Sequence, residues 1–474
     1  MSFSSPLFLF GFLPVILVIY WLTIKDYKNY AILFSSCIFF LWMAPNFFWV
    51  LFLSIMIDWH LGNKIYEGRD GAFLKRYYLF LILIINVLIL FYFKYMNFFV
   101  DNLNKVLVKQ SYQSLEWAHV LMPVGISFIV FHKISYVVDI YLAKAEPVKR
   151  LSDYALYILL FPKLLAGPIV QFNEISNQLT RRHDSIENVI YGVYRFSIGL
   201  TKKVLIADSL AIVANKAFQT PVSSLDWYSA WLGVVCYTFQ IYFDFSGYSD
   251  MAIGIGKIFG FNIPENFNMP YISKSITEFW RRWHITLSAW MKNYLYIPMG
   301  GKRCSKLRNY FNLWFVFLVS GLWHGANWTF IVWGIYHGLF LILDKVVWLR
   351  VSSKFPKYIN ILLTFFLVMI GWIFFRSESI TQAVGYIVRL FSYPSVIVEY
   401  HIFLSSYERA SLLTAALISL LPSFFWFRAV QERIKRPFAK HEELVKMAFS
   451  VLLLLVSSIA VVSSDYKSFI YFNF

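Results

Sequence analysis

Charge is what this chain has least of. Asp, Glu, Lys and Arg make up 15% of its 474 residues, and none occurs between Tyr310 and Leu343. Acidic residues are the scarcer sign, 26 against 43 Lys and Arg, which leaves a formal charge of +17. There are three cysteines. Cys37 and Cys236 lie in apolar segments and Cys304 in a basic loop, so there is neither a disulfide framework nor metal-ligand spacing, and no metal is expected. The chain has no Gly-x-Ser-x-Gly elbow, no His-Glu-x-x-His and no Walker loop, which removes the usual motif support for serine-nucleophile, zinc and ATP-driven chemistry. Its first charge is Lys25, and no small-residue cleavage site follows the first apolar run. Leu7–Ile24 therefore reads as a retained first span and not as a removable signal. No hydrophilic block is large enough to fold alone, and no internal repeat is visible. Residues 1–474 are expected to form a single membrane domain.

What is abundant is apolar and aromatic surface, at 59% and 20% of residues. That balance belongs to an integral membrane protein. The apolar runs are continuous and do not alternate in twos, so helices and not a barrel carry them. Spans are expected near 7–24, 30–44, 46–60, 77–100 and 118–142, then less regularly near 154–172, 187–218 and 227–259. Later ones are expected near 311–343, 359–375, 411–427 and 447–464. The fold class is all-α, a polytopic transmembrane helical bundle of about 10–12 spans, some broken or re-entrant.

Excess Lys and Arg in such a chain marks cytoplasmic loops, not a nucleic-acid partner. Some of it is also able to attract an anionic substrate such as a nucleotide phosphate. Lys25/Lys28, Lys64–Arg76 and Lys144–Arg150 fall on alternate loops, and Arg428–Lys446 forms another, which puts both termini on the extracytoplasmic side. The basic stretches 292–308 and 345–357 then share one side, with 310–343 between them. The break at Gly325-Ala326-Asn327 favours a bent or re-entrant hairpin with His324 near its tip. The basic segment Lys302–Arg308 suggests the side from which that histidine is reached.

His324 is the most informative residue. A titratable ring at membrane depth is costly and usually faces the protein interior or a water-filled path, where it does chemistry or moves an ion. A buried neutral histidine bonded to a carbonyl is the structural alternative. Gly321 and Gly325 would let backbone or substrate approach closely, and Asn327 would orient the ring or a bound group. His337 is expected to be structural. The run Ser275–Tyr296 (SITEFWRRWHITLSAWMKNYLY), taken as one helix, carries Trp280, Trp283, His284, Leu287 and Met291 on one stripe and Arg281, Ile285, Ser288 and Lys292 on the next. Two readings remain open. It is an interfacial helix anchored by Trp and snorkelling Arg, or a cytoplasmic lid whose Arg281, Arg282 and Lys292 hold a phosphorylated cofactor while His284 points inward. Asp244 and Asp250, six residues apart, fall on different faces of a helix and are expected to hold a helix junction. Gly254–Gly260 lacks the spacing and the preceding strand of a nucleotide loop. Gly167-Pro168 reads as a helix break, expected to line a cavity.

The segments FPKLLAGPIVQF, YFDFSGYSDMAIGIGKIFGF, FWRRWHITLSAWMKNYLYIPMGG and SGLWHGANWTFIVWGIYHG, in this order, resemble the membrane-bound O-acyltransferase family. The match is closest to its bacterial alginate and peptidoglycan O-acetyltransferase group, with a more distant similarity to the D-alanyl teichoic acid transferases, and it covers nearly the whole chain. The resemblance implies that acetyl-CoA binds on the cytoplasmic side of the inner membrane. The acetyl group would pass through a central tunnel toward an extracytoplasmic polysaccharide, with a periplasmic transferase partner completing the transfer. It implies that His324 is the catalytic histidine and His284 the second motif residue. Arg281, Arg282 and Lys292 are candidates for the CoA phosphates on charge and position alone. The terminal Phe469–Phe474 resembles the tyrosine-containing tail of the small partner in D-alanylation systems, so Tyr471 would be an acyl relay, or else part of an interfacial aromatic belt. Acyl transfer to teichoic-type polymers is the alternative within the family. A transporter, or a scaffold for a polysaccharide synthase, is the alternative outside it.

Overall fold

The computed structural model describes residues 1–67, 71–182, 184–392, 401–424, 427, 430, 433 and 441–463. Every regular element among them is helical. Tyr471 and most of the 425–440 basic loop lie outside the described residues.

The chain divides into two compact units. The first comprises Met1–Ser185 with Phe259–Ile263. It contains α1 (Leu13–Leu22), α2 (Lys28–Met43), α3 (Phe48–Glu67), α4 (Gly71–Leu90), α5 (Met96–Lys109), α6 (Ile126–Tyr141), α7 (Leu151–Leu159), α8 (Phe161–Leu164) and α9 (Phe172–Thr180). Helices α2 and α3 meet at Pro45 with a 116° change of direction. The span expected over 118–142 is helical only from Ile126. Gly125 before it is left-handed, at φ 80°, and a Cβ there would lie 2.8 Å from the Leu164 carbonyl oxygen. Tertiary approach at a glycine thus stops the helix where apolarity alone continues it. The break at Gly167-Pro168 is present. It is tightly packed, since a Cβ on Gly167 would meet the Lys163 Cα at 2.5 Å. Buried in this unit, Lys133 pairs with Asp58 at 3.3 Å. Asn86 and Tyr154 also donate to the Asp58 carboxylate.

The second unit comprises Ile186–Ile258 and Pro264–Phe474. Its helices are α10 (Ile186–Thr201), α11 (Asp208–Gln219), α12 (Trp227–Ile258), α13 (Ile276–Arg282), α14 (Ile285–Met291), α15 (Lys306–His324), α16 (Trp328–Leu343), α17 (Leu349–Val351), α18 (Lys357–Arg376), α19 (Ile380–Phe391), α20 (Ser406–Leu420) and α21 (Glu442–Ser463). Among the described residues four helices are long and apolar enough to cross a membrane, five if the bent α2–α3 pair counts as one span. These suit a helical membrane bundle.

The axis of this unit is α12, 32 residues long and almost wholly buried. It runs straight through Gly247, so its two carboxylates stay on different faces, as their spacing predicts. Asp250 takes Arg195 at 2.7 Å and Lys202 at 2.6 Å. Asp244 takes Lys203 at 2.8 Å, and Lys203 also reaches Asp208 at 2.5 Å. Both carboxylates therefore bind α12 to its neighbours, as a helix junction requires. Breaking a buried pair of this kind costs about 3–5 kcal/mol, because one charge is left without compensation. Close approach depends on glycine. A Cβ on Gly254 would lie 2.5 Å from the Gly192 carbonyl oxygen, and one on Gly247 would lie 2.7 Å from that of Gly199. Small residues facing each other let two backbones approach where lipid supplies no hydrophobic drive between helices. Gly254, the first glycine of the Gly254–Gly260 run, thus serves helix packing. Gly254→Val is expected to separate α10 from α12 at a cost of about 1–3 kcal/mol. A lowered thermal unfolding midpoint of the detergent-solubilised protein would report it.

Candidate active site

Two chain reversals in the second unit build the site. The larger is the α15–α16 hairpin. Gly321 faces the Phe330 carbonyl, Gly334 that of Phe317, and Gly338 sits against Trp314, so the helices run antiparallel in close contact. A Cβ on Gly325 would fall 2.2 Å from the Phe330 ring. The two glycines flanking the histidine therefore admit the returning helix. Asn327 does not orient the His324 ring. Its Oδ1 accepts from the Thr329 N–H at 3.1 Å, capping α16, and its Nδ2 donates to the Glu378 carbonyl at 3.0 Å. His324 is the last residue of α15, at the hairpin tip, as the break predicts.

The basic segment Lys302–Arg308 does not border that ring. The segment runs into the first turn of α15, and from Arg308 to His324 the helix rises about 24 Å.

The second reversal was not visible in the pattern. Ser275–Tyr296 is not one helix. After α13 the backbone becomes extended at Trp283 and left-handed at His284 (φ 46°), and α14 starts afresh. The Ser288 hydroxyl reaches back to the Trp280 carbonyl at 3.0 Å. The Thr277 N–H donates to Asp344 at 2.6 Å, and the Tyr296 hydroxyl meets Asn309 at 2.8 Å. The excursion thus begins and ends at the base of the α15–α16 hairpin and carries His284 up to its tip. The single apolar stripe expected along this run does not exist. Trp280 and Trp283 are buried at 6% and 1% exposure, which also removes the reading of an interfacial anchor.

The two tips bring His284 and His324 together, with ring centroids 6.5 Å apart. His324 is enclosed edge-on by Trp323 and Trp333, each at 5.0 Å, and by Phe375 at 5.1 Å. His284 packs edge-on against Phe245 at 4.7 Å. Burial pushes its imidazole down to about 3, so the ring is neutral at physiological pH. His337 is buried beside Trp333 and accepts from the Trp280 indole N–H at 3.4 Å. This is the structural place expected of it. The arrangement sets two buried imidazoles among aromatic rings, where they are suited to moving a proton. Among the described residues no group of His, Cys, Asp or Glu could hold a metal ion.

The three cationic candidates separate. Arg282 is committed to Glu278 at 2.8 Å and to the Asn268 carbonyl at 3.1 Å. Arg281 and Lys292 are exposed. Arg281 and Lys302 both lie close enough to bear electrostatically on Lys345. Lys302 and Lys345 sit in basic stretches that the sequence marks only as loop charge. In the first unit a separate cavity of about 1700 Å³ is lined by Lys25, Lys149, Arg150 and Arg181 among others.

Comparison with known proteins follows the same outline. The MBOAT, membrane-bound O-acyltransferase family, model matches residues 126–384. The chain is 42% identical over 429 residues to a probable alginate O-acetylase AlgI of Pseudomonas syringae pv. tomato, covering 90% of this chain and 80% of the relative. A probable alginate O-acetylase AlgI of Pseudomonas putida aligns over 100% of both chains at 39% identity. A peptidoglycan O-acetyltransferase of Helicobacter pylori is 38% identical over 417 residues, 80% of this chain and 78% of its own.

Replacing Asn327 with Ala is expected to cost about 1 kcal/mol through the lost cap. A thermal melt in detergent should show the decrease, with acetylation falling as the hairpin tip loosens.

Proposed function

Because this chain belongs to the membrane-bound O-acyltransferase family, in its alginate and peptidoglycan O-acetyltransferase-like group, we propose that it moves acetyl groups from cytoplasmic acetyl-CoA to an extracytoplasmic polysaccharide, with His324 as the base. It is a multi-pass membrane O-acyltransferase acting in O-acetylation. The single observation that carries the site assignment is the meeting of His324 and His284 at the tips of two reversals, inside an aromatic chamber.

A hydroxyl attacks a thioester poorly while it keeps its proton. His324 takes that proton as the oxygen–carbon bond forms, a contribution of about 10²–10⁴-fold. The carbon–sulfur bond then breaks, and the imidazolium returns the proton to the departing thiolate. The surrounding rings shield the imidazole from bulk water. The cluster of Arg281, Lys302 and Lys345 is the better-placed cradle for the donor's phosphates, with the exposed Lys292 a further candidate. Arg282 serves mainly to hold the α13 reversal. With the cations at one end of α15 and the histidine at the other, donor and acceptor would enter from opposite sides through a central tunnel, in keeping with both termini facing outward and an inner-membrane location.

A periplasmic transferase partner would complete delivery to an alginate-type polymer or peptidoglycan. Tyr471 remains a candidate relay on the strength of its tail motif. Acyl transfer to a teichoic-type polymer is the second reading within the family.

His324→Ala should insert normally in the membrane and lose polymer acetylation by at least about 10²-fold. Full activity would sink the assignment. Arg281→Glu combined with Lys345→Glu should raise the KM for acetyl-CoA with little change in kcat, whereas Arg150→Glu in the other basic cavity should not. Tyr471→Phe keeps an aromatic belt and removes the nucleophile, so unchanged acetylation in that variant would exclude the relay.

A further inference from the structure

His284 stands at a sharp reversal with no helix-breaking residue in its own run, so something outside the run must hold it. That residue is Asn266, fully buried eighteen positions earlier. Its backbone carbonyl accepts from the Ile285 N–H at 2.9 Å. Its side-chain Oδ1 accepts from the Thr286 N–H at 3.2 Å and the Thr286 hydroxyl at 2.9 Å, and lies 3.1 Å from His284 Nδ1. Its Nδ2 donates to the Ser249 hydroxyl on α12 at 3.2 Å.

These contacts determine a proton position. A backbone N–H can only donate, so the amide atom facing Thr286 is oxygen and not nitrogen. An amide oxygen can only accept, so His284 Nδ1 must carry the hydrogen. The neutral ring then has its lone pair on Nε2. That atom is buried and has no hydrogen-bond partner among the described residues. Beyond Asn266 the ring's neighbours are Phe245, Trp323 and His324. A buried acceptor without a donor is costly and seldom retained without a use.

We propose that Asn266 is a positioning residue for acyl transfer: it locks His284 as the Nδ1–H tautomer, so that Nε2 presents a lone pair to a hydroxyl donor in the chamber shared with His324. The hydroxyl is that of the acceptor alcohol, which docks by donating its single hydrogen to His284 Nε2 and turns that hydrogen to His324 as the oxygen–carbon bond forms. This rests on the reading of the two histidines given above.

Selective ¹⁵N-histidine labelling of the detergent-solubilised wild-type protein tests the tautomer, with the His284 signals assigned by their loss in His284→Gln. A protonated Nδ1 and a bare Nε2 are expected, and a protonated Nε2 would overturn the proposal even if no Asn266 variant folds. Kinetics test the role. Asn266→Ala, confirmed folded by its elution as a monodisperse species, should lose at least about tenfold in kcat with the KM for acetyl-CoA within about twofold, as expected when a tautomer is no longer held. Asn266→Asp keeps the acceptor and should recover most of that loss. A folded Asn266→Ala with wild-type kcat overturns the positioning role. If His284→Gln is itself fully active, the reading of the two histidines fails and this proposal with it. If His284→Gln is inactive while Nε2 proves protonated, only the role of Asn266 fails.

Discussion

A polar group carried away from water must find its partner inside the protein, and this fold is organised around meeting that demand. The clearest case is α12. Its Asp244 and Asp250 would be prohibitive alone in an apolar setting, and each is met by cations from the adjoining helices. Those same bonds set which helices lie against α12, and the glycine contacts at Gly192/Gly254 and Gly199/Gly247 set how closely. Electrostatic satisfaction and backbone approach are therefore one design, since neither is available without the other.

The same demand shapes the site. A reversal deep in the protein exposes backbone N–H and C=O groups that no helix satisfies. At the α15–α16 tip, Asn327 supplies the cap. At the α13–α14 tip, Asn266 supplies four acceptor contacts, one through its backbone carbonyl and three through Oδ1, and a donor. Each reversal delivers one histidine, and the aromatic walls between them keep the rings apart from bulk water. The catalytic proposal and the packing thus follow from a single physical requirement, the satisfaction of backbone groups at places where helices turn back.

Much of this was legible beforehand. The helical membrane class, the break at Gly325–Asn327, His324 at its tip and the structural use of Asp244 and Asp250 all follow from local composition and spacing. The Ser275–Tyr296 run misled because its apolar residues fall at helical spacing in the sequence with no glycine or proline among them, although the chain turns back at His284. The reversal at His284 comes from Asn266, whose only local signal is an asparagine in an otherwise unremarkable loop. Arg282 looked as available as Arg281 because its partner Glu278 lies one helical turn away in a segment read for its cations.

By itself, then, the sequence determined the class of fold, the family and the break beside His324, because apolar run length, breaker residues and motif order are local properties. Only the tertiary structure decided that the histidines meet, which ring nitrogen of His284 holds the proton, and which cations are already spent. Those outcomes depend on contacts between residues far apart in the chain, and a buried polar atom's role is set by whichever partner the fold brings to it.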